Sequence, residues 1–204
     1  ISLLTIPGFI LIYFDPILIS TTFDSNISNT ILISSSILSF YLLPFFFLEI
    51  LNKGINKFLN KNFFIIIFFS LALIISLVSF FDYNYKTGGG FFIKLSYLIF
   101  DNYYLFLISS ILGMSFLLLL VRENKINFIL LTIMLLGFPA YMIFQKYYEP
   151  MFLFILFLFL KTNVTQNFFH LKRNLIFYYS YVFLYLLSAI INDQLNLLIF
   201  DFSN

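Results

Sequence analysis

Three short stretches carry residue types that could bind an anion or move a proton. The first is Gln145-Lys146-Tyr147-Tyr148-Glu149-Pro150, where Lys146 offers a cation in a short turn between two apolar runs. A lysine so placed can neutralise the phosphate of a lipid-linked ligand. The same segment also reads as an ordinary helix start, with Pro150 in the first turn, Glu149 at the positive end of the helix dipole and the tyrosines in the interfacial belt. The second stretch runs from Asp82 to Gly90, where Gly88, Gly89 and Gly90 precede the apolar run 91–100. Three glycines ahead of a helix can turn backbone N–H groups toward an anion, and with Lys86 and Lys94 they make a phosphate-binding surface. A flexible hinge is the competing reading, because no nucleotide-binding loop spacing is present. The third is Asp15, inside an apolar run and followed by Pro16. A carboxylate beside a helix-breaking proline can line an aqueous cavity, act as a base or bind a cation; alternatively it marks the end of a helix at the interface.

Composition removes other chemistries. The chain has no Cys, which excludes disulfides, thiolate catalysis and Cys-ligated metals, and its single His, His170, cannot form an imidazole cluster. Neither a metal nor a cofactor is expected. A net charge of +2 gives no nucleic-acid footprint. Phe supplies 32 residues against 7 Gly and 5 Pro, a bias that fits an AT-rich genome and warns against reading function into every aromatic.

The elements that must position these groups are membrane helices. Of the 204 residues 62% are hydrophobic and 10% charged, with a mean hydropathy of +1.02, whereas soluble domains carry about 25% charged residues. The expected fold is all-α, a polytopic transmembrane bundle, since hydrocarbon cannot satisfy exposed backbone groups and no alternating barrel pattern is visible. Apolar stretches suggest about seven spans, at 1–19, 31–51, 63–81, 103–121, 126–144, 147–160 and 175–191. The run 91–100 is too short to span, and with Lys94 and Asp101 on one face it reads as a helix lying in the outer interface.

Eight of the 11 basic residues fall on three alternate connections: Lys53, Lys57 and Lys61; Arg122 and Lys125; Lys161, Lys172 and Arg173. Those connections are cytoplasmic by the positive-inside rule, which sets Lys86, Lys94 and Lys146 outside. No linker or internal repeat divides the chain, so residues 1–204 read as one transmembrane domain. Because Ile1 opens directly into an apolar run, that domain is expected to be the C-terminal portion of a longer chain. The expected partners are membrane lipids, and the expected location is a bacterial inner membrane or, alternatively, an organellar one.

Two stretches resemble a known family. Thr5-Ile6-Pro7-Gly8-Phe9 is similar to the Thr-x-Pro-Gly-aromatic segment of polytopic GT-C glycosyltransferases, and Lys146-Tyr147-Tyr148-Glu149-Pro150 before an aliphatic run resembles their basic-Tyr-x-x-Pro boundary. The resemblance implies transfer of a sugar from a polyprenyl-phosphate donor at the non-cytoplasmic face. It implies a catalytic acid in an outer loop expected upstream of Ile1, and it carries over Lys146 alone as a contact for lipid phosphate. A transporter or flippase module, suggested by Asp15-Pro16 and Gly137-Phe138-Pro139, and a structural subunit of a membrane complex are the alternatives.

Overall fold

The computed structural model describes residues 26–54, 61–84, 88–137, 142–160 and 162–202. Among them lie eight α-helices and no strand: α1 (Ile27–Lys53), α2 (Lys61–Val78), α3 (Phe91–Phe100), α4 (Tyr104–Glu123), α5 (Asn127–Leu136), α6 (Gln145–Phe154), α7 (Asn163–His170) and α8 (Lys172–Phe202). A π-helical turn, Ile155–Phe159, continues α6. The expected span at 1–19, and Asp15 with it, lies outside the described residues. Two helices, Ile27–Asn52 and Tyr104–Glu123, are long and apolar enough to cross a membrane.

These two helices, α1 and α4, form the core pair. Their interface is built from small residues and hydroxyls rather than bulky aliphatics. Gly113 lets the backbones meet, for a Cβ there would stand 1.8 Å from Ser35 O. Ser36 and Ser109 share a hydrogen bond of 2.7 Å, and Ser110 Oγ donates to Leu32 O at 2.9 Å. Close backbone approach through small residues, joined by hydroxyl hydrogen bonds, is how helices associate where water supplies no hydrophobic drive. The opposite faces are apolar: Phe68 on α2 is 72% exposed and Leu98 on α3 83%.

The two ends of the bundle are defined by polar side chains. At one end Asn26 caps α1, accepting from Ser28 N, and donates to Phe80 O, while Asn29 makes a two-way bond with the Asp82 backbone, donating at 2.7 Å and accepting at 3.0 Å. At the other end Arg173 donates to Asn52, Asn163 N donates to Glu123 Oε2, and Asn127 Nδ2 donates to Leu120 O.

Depth along α1 then corrects two expectations. Helix α3 has the expected bounds but does not lie flat at the Asn29 end. Phe91 packs against Phe40, with ring centroids 5.3 Å apart, and Gly90 lies against Ile37. Between Asp82 beside Asn29 and Phe91 beside Phe40, the chain descends about 16 Å at 1.5 Å per α1 residue. Helix α3 then climbs back, and Ser96 Oγ donates to Asn102 O just before α4. The N-terminal end of α3 packs into the bundle, where Phe91 and Phe92 meet the aromatic partners Phe40 and Tyr185.

The second correction concerns 126–144 and 147–160. Helix α5 leaves the Asn52 end but has ten residues, about 15 Å, and closes at Gly137, whose N–H reaches Ile133 O. Helix α6 begins at Gln145, which bonds Tyr41, and Tyr41 sits midway along α1. The chain then returns to the Asn52 end, where Thr162 caps α7. Helix α5 is thus shorter than the run 126–144, and α6 begins beside the middle of α1. Gln145 and Tyr148 find hydrogen-bond partners there, on Tyr41 and Met134 O, that a turn outside the bundle would lack. Pro150, expected in the first turn, lies inside α6 and precedes the π-turn.

Candidate functional site

The segments that lead into α3 and α6 meet beside the middle of α1. Gly89 N donates to Ile143 O at 2.9 Å, and Ile143 N donates to the hydroxyl of Tyr83 at 3.1 Å. This short backbone contact explains the glycines. Gly88 and Gly89 have φ of 128° and 83°, conformations that L side chains rarely adopt, and a Cβ on Gly88 would stand 2.9 Å from Ile143 O. The loop is glycine-rich because a second backbone passes across it.

Gln145 ties the N-terminus of α6 to that of α3. Its Oε1 accepts from Phe91 N at 2.8 Å and its Nε2 donates to the Tyr41 hydroxyl at 3.0 Å; Tyr41 in turn donates to Glu149 Oε1 at 2.5 Å. Tyr41 is almost wholly buried and stacks on Phe152, with centroids 5.2 Å apart. Helices α1, α3 and α6 are therefore linked by a continuous chain of hydrogen bonds at half depth.

Beside this chain opens a cavity of about 450 Å³. Its lining contains the polar residues Lys94, Gln145 and Ser188 and the loop glycines Gly88 and Gly90, interleaved with Phe91, Leu95, Leu98, Phe144 and Tyr185. The size suits a small organic head group. Lys94 lies one turn into α3, so its charge stands near the same opening as the loop. A lining that mixes a cation, a hydroxyl and an amide with aromatic and aliphatic side chains suits an anionic amphiphile.

The candidate residues named from the sequence are distributed as follows. Gly88, Gly90 and Lys94 line the cavity, and Gly89 supports it through Ile143. Two of the amides expected to face an anion are committed to protein acceptors, Gly89 N to Ile143 O and Phe91 N to Gln145. Lys146 follows Gln145 at the start of α6 and is exposed, with Nζ 5.7 Å above the ring of Phe144. Lys86 and Asp15 lie outside the described residues. Sequence reasoning missed Tyr41 and Gln145 and read Glu149 as a helix-start charge. The spacing held a hint, for Gln145 and Glu149 are four apart and share one helical face. Among the described residues no three His, Asp or Glu side chains gather as metal ligands would.

Comparisons of the chain with protein-family models, with curated proteins and with solved structures each return no match.

Proposed function

We propose that the chain is a polytopic membrane protein that admits the phosphate head of a lipid-linked substrate to the cavity at Lys94. The observation that carries this reading is the cavity itself, which joins a lysine, a buried amide and an apolar wall at half depth in the bundle. Lys94 is exposed on α3 at the mouth of this cavity, where its charge is free to meet an anion. The exposed apolar faces of α2 and α3 and the serine-glycine seam of α1 and α4 support immersion in lipid.

In this reading α1, α2, α4 and α8 cross the bilayer, and α5 and α6 form a hairpin entering from the cytoplasmic side. A hairpin that returns to its own side leaves the orientation of the other spans unchanged. The Asn52 end, with Arg122, Lys125, Lys172 and Arg173, is cytoplasmic. The membrane is a bacterial inner membrane or an organellar one.

The activity that best fits a lipid-phosphate site, given the segments resembling GT-C enzymes, is sugar transfer from a polyprenyl-phosphate donor. The chain's part is to hold the lipid phosphate; no catalytic residue is assigned. A specific observation favours a second reading, translocation of the same lipid. Two short helices enter from opposite ends and meet at Gly89 and Ile143, an arrangement that in transporters brings helix ends to a substrate at the midplane.

The test is binding of a phosphoprenol to the protein in nanodiscs. Loss of one charge-assisted contact removes about 1.5–3 kcal/mol, so Lys94→Gln is expected to weaken binding roughly tenfold to a hundredfold. Unchanged affinity would remove the proposal. Proteoliposomes then separate the readings: transfer of labelled sugar supports the enzyme, and a reporter lipid changing leaflets without transfer supports translocation.

A further inference from the structure

Burial divides the cavity into a floor and a rim. Among its lining residues Gly88, Gly90 and Gln145 are buried, whereas Lys94 and Leu98 on α3 and Ser188 on α8 are exposed. Lys94 and Leu98 are four apart and share one face of α3, and Tyr185 and Ser188 are three apart and share one face of α8. The mouth is therefore a cleft between these two helices. Beside it Ile99 on α3 and Leu184 on α8 are exposed as well, so the surface in which the cleft opens is largely apolar. Such a surface suits hydrocarbon, and a contiguous apolar surface in water would be costly. The lining includes no acidic residue, so the charge at the mouth is that of Lys94, whose apolar stem lets it stand among leucines.

We infer that the cleft between α3 and α8 is a lateral portal, through which a phosphate lipid enters from the surrounding bilayer. Its head passes Lys94 into the cavity, and its apolar chain stays in the mouth against Leu98. The inference rests on the lipid-phosphate reading of the same cavity and adds the route. It also sets a requirement on the ligand, because the mouth offers an apolar chain a place to lie as well as a charge to meet: the ligand is a membrane lipid and not a soluble phosphate ester.

The experiment closes the cleft. Leu98→Cys and Ser188→Cys are introduced together into the full chain, which has no native cysteine, and are joined by a bismaleimide with an internal disulfide. Association of a phosphoprenol with the protein in nanodiscs is measured before bridging, after it, and after reduction, which opens the bridge and leaves both labels in place. Bridging is expected to slow association at least about tenfold, and reduction to restore it. One preparation supplies all three values, so the fraction that folds cancels. A short, water-soluble prenyl phosphate separates the two sources of the head group and is expected to bind the unbridged protein at least about tenfold more weakly than the phosphoprenol, since it buries less apolar chain. Unchanged association after bridging, failure of the two cysteines to be bridged, or equal affinity for the soluble phosphate would overturn the inference while the lipid-phosphate reading stood. Absence of phosphoprenol binding, or no effect of Lys94→Gln, would instead overturn the reading beneath it.

Discussion

Replacing Gly113 by alanine tests the contact on which the rest of the bundle is built. The new Cβ would stand 1.8 Å from Ser35 O and 2.7 Å from Ser35 C, both backbone atoms of α1. Neither can move as a side chain would. Reaching 3.0 Å, the lower limit of real Cβ contacts, requires α1 and α4 to separate by roughly 1.2 Å. A uniform opening of that size stretches the Ser36–Ser109 bond from 2.7 Å and the Ser110–Leu32 bond from 2.9 Å beyond hydrogen-bonding range. Loss of two such interhelical bonds costs about 1–3 kcal/mol in a membrane protein, and overpacking adds about 1–3 kcal/mol. The expected destabilisation of Gly113→Ala is therefore about 2–6 kcal/mol. Equilibrium unfolding of the detergent-solubilised chain by SDS titration measures it. Gly54→Ala is the control, since nothing lies within 4 Å of its Cβ position and only its φ of +81° opposes the change, at about 1–2 kcal/mol. A cost for Gly113→Ala under about 0.5 kcal/mol would show that the two helices do not approach through Gly113.

Cysteine labelling reads depth in a chain without native cysteine. An impermeant thiol reagent applied from the non-cytoplasmic side should modify Asp101→Cys quickly and Asn124→Cys not at all, with Lys146→Cys much slower than Asp101→Cys. Equal rates at 101 and 146 would restore the surface turn and remove the hairpin. Asn29→Ala removes both bonds to the Asp82 backbone and should cost about 1–3 kcal/mol in the same SDS titration; no change would mean that the Asn29 end is not held by this pair. Gly88→Ala should weaken phosphoprenol binding along with stability, because its Cβ would press on Ile143 O and the Tyr83 hydroxyl, and full binding by this variant would show that the loop does not shape the cavity.

The all-helical class, the bounds of α3 and the approximate positions of α1, α2 and α4 were legible in the sequence because they follow from apolar run length and its interruptions. Those quantities are local. The closeness of Gly88, Gly90 and Lys94 was legible for a similar reason, since glycines before an apolar helix and a lysine one turn inside it can be read from order alone. Depth was not. The run 126–144 and the run from 147 have the hydropathy of two spans, yet Gln145 and Glu149 stand at half depth, satisfied by Tyr41 from a helix more than a hundred residues earlier. Hydropathy scores each segment against a uniform solvent, whereas a buried polar side chain is stabilised by one partner at one distance. That partner is supplied by packing. The same distinction applies to the glycines: sequence order indicated a loop able to take unusual backbone angles, and the tertiary contact with Ile143 decided that it must. The hydrogen-bond chain from Glu149 through Tyr41 to Gln145 belongs wholly to the tertiary structure, because its three side chains are brought together from two helices.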